Sequence, residues 1–164
     1  GPIRSAGTTA TLAFVALSDY VRRKMGYDVF DPNHDEIERI VTEMYDYHER
    51  ITNLQYLPTE EEIRFLVKAL PMQIDGDPSE DLEVSNYKRL ERVATDRIRN
   101  GVCLVMGEAV AQKAAKFWSK FSKWNKEFGM EDWSFMQEFV ELQNKIKAKG
   151  KSQEVGSKIK PDFS

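Results

Sequence analysis

The chain of 164 residues contains a single cysteine, Cys103, and two histidines. One cysteine excludes an internal disulfide and a cysteine-based zinc cage, and it suits a reducing cytosol. Long apolar runs are also missing. The longest, Leu12 to Leu17, is six residues, far short of the roughly 18 that a membrane span needs. There is no excess of positive charge: 24 Lys and Arg against 27 Asp and Glu leave −3, so the whole chain is not a polycation built to coat nucleic acid. Gly1-Pro2-Ile3-Arg4-Ser5 lacks the cationic start and apolar centre of a signal peptide.

What is present is ordinary globular material, 41% hydrophobic and 31% charged, in an amount that makes one domain or a domain with a tail. The chain opens without Met and stops in Lys160-Pro161-Asp162-Phe163-Ser164 with no closing element, so a piece of a longer polypeptide is expected. Charge falls in blocks: +2 over residues 1–30, −10 over 31–91, +6 over 92–126, −5 over 127–144 and +4 over 145–164. Phosphate would be repelled by the second block and attracted by the third.

Helix signals are strong in the first half. Residues from about Thr8 to Met25 read as a helix, apolar on all sides in its first half and therefore expected to be buried. Arg22, Arg23 and Lys24 stand in its last turn, where the helix dipole favours cations, and Gly26 supplies the stop. Asn33 with Glu36, and Thr59 with Glu62, form capping boxes. The stripe Ile37, Ile40, Val41, Met44, His48, Ile51 follows the first, and Ile63, Leu66, Val67, Leu70 the second.

After Pro71 the period shortens. Met72–Asp75 and Leu82–Tyr87 alternate apolar with polar around an acidic loop, which predicts a hairpin, and Gly101–Met106 reads as a short apolar strand beside it. A helix is then expected from Glu108 to Lys126, with the aromatic seam Phe117, Phe121, Trp124 and a parallel strip of Lys113, Lys116, Lys120 and Lys123. A last helix is expected over Glu131–Ile146. The resulting expectation is an α+β fold, a small three-stranded, mostly antiparallel sheet covered by four or five helices, in a domain spanning 1–147 with a solvated linker over 148–164.

Two constellations suit phosphate. Arg4, Ser5, Thr8 and Thr9 surround Gly7 just before a helix whose first amides lack partners, a weak anion-cradle pattern that equally describes a Thr-capped turn. The four lysines could follow a nucleic-acid backbone or simply solvate a helix face. Metal and acid–base chemistry find no support. His34 and Glu38, or Met44 and His48, lack a third convergent ligand, and His48 on its apolar stripe reads as a core residue bonded to the backbone. The acidic run Asp75, Asp77, Glu80, Asp81, Glu83 lacks the spacing of a calcium loop. Cys103 lies in an apolar run that disfavours its thiolate. No catalytic residue and no cofactor site is expected.

Gly1-Pro2-Ile3-Arg4-Ser5-Ala6-Gly7-Thr8-Thr9-Ala10, followed by Asp19-Tyr20-Val21-Arg22-Arg23-Lys24-Met25-Gly26, resembles the GPIRS[SA]GGTA…DYVRRKLG stretch of the archaeal D-family DNA polymerase large subunit. Ile37–Val41 with Tyr47-His48, Leu54-Gln55-Tyr56, Asp81–Ser85, and Gly107–Val110 with Gln112-Lys113-Ala114 fall in the same order. The resemblance implies a part of a replicative DNA-directed DNA polymerase upstream of its catalytic core, with the magnesium-holding aspartates in a later barrel. It implies three kinds of partner: DNA, a small exonuclease subunit, and the remaining domains of the large subunit. This part would itself be non-catalytic and would position DNA or buttress the barrel. The alternative is a protein–protein scaffold whose aromatic seam docks the small subunit or a later domain. Arg4, Ser5, Thr8 and Thr9, then Arg22, Arg23 and Lys24, then the lysine strip, are the candidate phosphate contacts. One departure stands out: Thr8 occupies the place of a second family glycine, and a turn needing positive φ there would be strained.

Overall fold

Two capping boxes organise the first half of the molecule. A computed structural model describes residues 7–158, with side chains through Gln153. Its elements are α1 (Thr9–Met25), α2 (His34–Arg50), α3 (Glu60–Ala69), α4 (Asn100–Leu104), a π-helical stretch (Val105–Ala111), α5 (Gln112–Phe121), a 3-10 turn (Glu131–Ser134) and α6 (Phe135–Lys158). Asn33 and Glu36 exchange side-chain and backbone bonds of 2.9 Å at the start of α2, and Thr59 with Glu62 does the same for α3. Gly26 closes α1 at φ 74°, a conformation that a residue without Cβ adopts freely.

The expected sheet is absent. No strand occurs among the described residues; the fold is helical, with two isolated bridges, Glu83 to Arg97 and Leu90 to Val93. Two physical reasons account for the difference. Gly101–Met106 is apolar throughout because it is helical and surrounded: Val102, Cys103, Leu104 and Met106 are all buried. A fully buried helix and a fully buried strand share one sequence signature. In the 72–99 segment, the backbone approaches an antiparallel pair only briefly, through Val84 N–H to Asp96 O and Ile98 N–H to Leu82 O. Side chains of α2 satisfy other backbone groups there. Asp46 accepts from Ser85 N–H at 2.7 Å, and Glu43 accepts from Arg99 N–H at 2.8 Å.

Glu43 is the hub of this attachment. It is fully buried and meets an equally buried Arg99 guanidinium through bonds of 2.7 and 3.0 Å. Arg39 reaches Glu43 at 3.3 Å from the preceding turn of α2, and Arg99 extends to Asp75 at 2.7 Å. Arg92 adds a second clamp on Glu36 and on Asp31 O. The alternation read as a hairpin thus belongs to a strap, tied to α2 by ion pairs.

The helices α4 and α5, joined without a break by the π stretch, form the axle of the core. Ala109, Val110, Ala111 and Ala114 are buried along it, and α1, α2, α3 and α6 pack around it. Gly107 is a packing glycine: a Cβ there would stand 3.0 Å from Tyr56 O and 3.3 Å from Met44 Cε. Cys103 is buried, and burial pushes its thiol well above the ordinary range. His48 accepts from Leu54 N–H at 3.0 Å, the backbone bond that its place on the stripe suggests. At the other end of the core, Glu62 accepts from Tyr56 O–H at 2.9 Å and from Gln143 at 3.2 Å. Burial and the Glu62 carboxylate push Tyr56 up to about 12. α6 continues past Ile146 to Lys158, and residues 159–164 of the stretch read as a linker lie outside the described residues.

Two outcomes follow. Glu43→Ala, which strands a buried guanidinium, is expected to lower stability by about 3–5 kcal/mol in chemical denaturation, and the double replacement Glu43→Leu with Arg99→Met to recover only part of it, because Arg39 and the Arg99 N–H lose the same acceptor. The raised Tyr56 favours the neutral phenol in the folded state, so its contribution is complete below the unfolded value near 10 and is lost as pH climbs toward 12. Denaturation midpoints from pH 9 to 12 should fall less steeply for Tyr56→Phe than for the parent chain.

Candidate nucleic-acid interface

Helix α1 carries candidate contacts at both ends. Arg4 and Ser5 lie outside the described residues. Thr8 is the N-cap of α1: its hydroxyl accepts from Thr11 N–H at 3.3 Å and shares a 3.1 Å bond with Thr11 Oγ1. Its φ is −118°, so the residue standing for a second glycine sits in extended backbone without strain. Thr9 is half-buried in the first turn. Thr8 thus caps α1, and the first turn of α1 carries no acidic side chain.

At the far end, about 22 Å away by helical rise, the basic turn is gathered by one carboxylate. Asp19 is fully buried. Arg22 Nε reaches Oδ1 at 2.7 Å, Arg23 Nε reaches Oδ2 at 2.9 Å, and Trp133 Nε1 donates to Oδ2 at 2.7 Å. Burial pushes the Asp19 carboxyl up, but the bonds from Trp133, Arg22 and Arg23 outweigh it and hold the group below its ordinary value. Arg22 also donates to Tyr27 O, and Arg23 to Gly129 O and Asp132. Both arginines are thus engaged by protein acceptors, and Arg23 pins α1 to the segment leading into α6. Lys24 differs: it is exposed, its ammonium 5.3 Å from the centre of the Tyr20 ring.

The lysine strip lies on α5 and the turn after it. Lys116, Lys120 and Lys123 are exposed and Lys113 is half-buried. Among the described residues none of the four forms an ion pair. α1 packs against α5, where Phe117 and Phe121 face Ala16, Leu17 and Tyr20. The aromatic seam next to the strip is largely used inside: Phe117 is buried and stacks on Phe121 at 5.0 Å, and both rings approach Trp133 edge-on. Trp124 alone of the seam is strongly exposed, at 55%.

One surface escaped the sequence reading. The apolar first half of α1 is not buried on all sides: Leu12, Val15 and Ala16 face the core, while Phe14 and Leu17 are 66% and 54% exposed. Val21 and Met25 continue that outer stripe. Spacing of three and four residues on two faces at once was its signal. A groove lined by Leu17, Tyr20, Phe121, Phe128 and Met130 runs between α1 and the turn after α5.

Carboxylates are mostly committed elsewhere. Among the described residues no group of three or more His, Cys, Asp or Glu converges to hold a metal ion, and no helix is long and apolar enough to cross a membrane.

Comparison with known proteins supplies the parentage. Residues 1–142 match the family described as DNA polymerase II large subunit DP2, N-terminal. Similar chains include the DNA polymerase II large subunits of Nanoarchaeum equitans, 52% identical over 149 residues, of Methanosarcina barkeri, 44% over 162, and of Thermoplasma acidophilum, 42% over 163. These alignments cover 91%, 92% and 99% of this chain but only 12%, 14% and 14% of the relatives. The chain spans about an eighth of the length of the curated relatives that it matches. With the family match and these identities running through nearly all of its length, the chain belongs to the family of the DNA polymerase II large subunit, to its N-terminal region.

Proposed function

We propose that this region is a non-catalytic module of a DNA-directed DNA polymerase large subunit, one that holds DNA through backbone charge. The observation that carries the reading is the lysine strip: cations along one side of α5 and the turn after it, exposed at Lys116, Lys120 and Lys123 and half-buried at Lys113, without carboxylate partners among the described residues. Successive lysines three and four residues apart track a path of about 15 Å along the helix, a run that can meet several phosphates of one strand. Four buried carboxylates are engaged inside the fold. Asp19, Glu36 and Glu43 are bonded to guanidinium groups, and Glu62 to Tyr56 and Gln143. In this reading, metal and nucleotide chemistry reside in later parts of the large subunit, and a small exonuclease subunit completes the enzyme.

The exposed outer stripe of α1 favours a second role beside the first, docking of protein. Large apolar side chains contiguous on a surface mark interaction sites, and here four of them share one face of a helix.

Replacing Lys116 and Lys120 together with Glu in the assembled two-subunit polymerase should weaken binding of primed DNA. The slope of log affinity against log salt should fall by about 2, nearly one unit for each lost phosphate contact. Filter binding or anisotropy between 50 and 300 mM salt reads this directly. An unchanged slope removes the strip from the interface.

A further inference from the structure

Resting on the lysine-strip reading, we propose that the strand held there is single-stranded DNA, with the Trp124 indole as the platform on which one unpaired base stacks.

The cations form an unbroken track. From Gln112 to Lys126 the chain has five lysines and no Asp or Glu. Glu127, Glu131 and Asp132 come after it, and Asp132 is held by Arg23. The winding of α5 continues past Phe121: Lys123 N–H donates to Lys120 O at 3.2 Å, and Trp124 N–H to Phe121 O at 2.9 Å. Trp124 therefore stands next to Lys123 and about one turn past Lys120, turned from it by about 40–80°. A ring at that position lies beside the end of the track.

That ring has a face to offer. Phe117, Trp118 and Phe121 all have aromatic partners, at 5.0 to 6.4 Å, and Phe128 meets Tyr20 edge to face at 5.9 Å. Among the described residues Trp124 makes no ring contact and no cation–π contact. It is 55% exposed.

The neighbourhood of ammonium groups and a free indole selects the occupant. In duplex DNA the faces of the bases are covered by the stack and only their edges show in the grooves. A ring beside the backbone then finds nothing to stack on unless a base step is opened, at a cost of a few kcal/mol. An unpaired strand presents a phosphate run for the lysines and free π-faces for the ring together.

The test uses the two-subunit polymerase. A thymidine oligonucleotide with one iododeoxyuridine is bound as a single strand and, separately, paired within a blunt duplex. Irradiation joins the halogenated base to an aromatic ring in contact with it, and mass spectrometry maps the adduct. The expected result is an adduct at Trp124 with the single strand and none with the duplex. Trp124→Ala should lower affinity for the single strand by about five- to a hundredfold, the effect of one stacked base, and affinity for the duplex far less. Stacking releases no counterions, so the slope of log affinity against log salt should stay in place. Trp124→Phe should keep most of the affinity. Lys116→Glu with Lys120→Glu should instead flatten the single-strand slope by about 1.4, at about 0.7 for each phosphate contact. No adduct at Trp124 with the single strand, or an equal yield with the duplex, overturns this inference. If the lysine replacements still flatten the slope on primed DNA, the phosphate-holding reading survives that result; if they move no slope, both fall.

Discussion

The buried pairing of Glu43 with Arg99 is the constraint around which the described region is arranged. A carboxylate and a guanidinium removed from water must satisfy one another almost completely, because stranding either is costly. Here the match is nearly total: Glu43 accepts from the Arg99 side chain, from the Arg99 backbone N–H and from Arg39. The pair joins the middle of α2 to the residue immediately before α4. It therefore decides where a strap of some thirty residues without regular structure must end, and where the central axle begins. Asp46 on Ser85 and Glu36 on Arg92 extend the same logic along α2.

Asp19 plays the corresponding part at the other side of the molecule. It draws Arg22, Arg23 and the Trp133 indole to one point, and so fastens the end of α1 to the start of the last helical segment. Pairs of this kind show how the strongly acidic 31–91 block is accommodated: Glu36, Glu43 and Asp46 are connectors within the fold, while the lysines of the strip that follows the block stay largely on the surface. Segregation of this kind leaves one face of α5 free to meet an anion although the chain as a whole is negative.

How much of this was legible in the sequence depended on whether the signal was local. Asn33 with Glu36 and Thr59 with Glu62 are local, three residues apart, and both boxes form as read. Gly26 and the caged Cys103 are equally direct. The Gly101–Met106 run was not decidable, since burial on every side removes the periodicity that separates helix from strand. The alternation in Met72–Asp75 and Leu82–Tyr87 misled for a different reason: Ser85 is held by Asp46 of α2 and Asp75 by Arg99, partners invisible along the chain. The apolar start of α1 showed the converse. It read as wholly buried, yet half of its circumference faces outward. Among the candidate contacts, residue type identified the exposed lysines, but only three-dimensional partners reveal that Arg22 and Arg23 are spent on Asp19 and its neighbours.

The wide turn from Val105 to Ala111 has a geometric effect that reaches well past its own seven residues. A backbone that bonds one residue further along than an α-helix carries an additional residue per turn, and each such insertion swings everything downstream by about 100° about the common axis. The azimuth of Phe117 toward the interior, and of the exposed ammonium groups toward water, is thus set upstream, in a stretch where Tyr56 O leaves no room for a Cβ at Gly107. That stretch works as a phase shifter. It lets a single rod present one compass bearing to the core of α2 and α3 and another to whatever lies beyond α5.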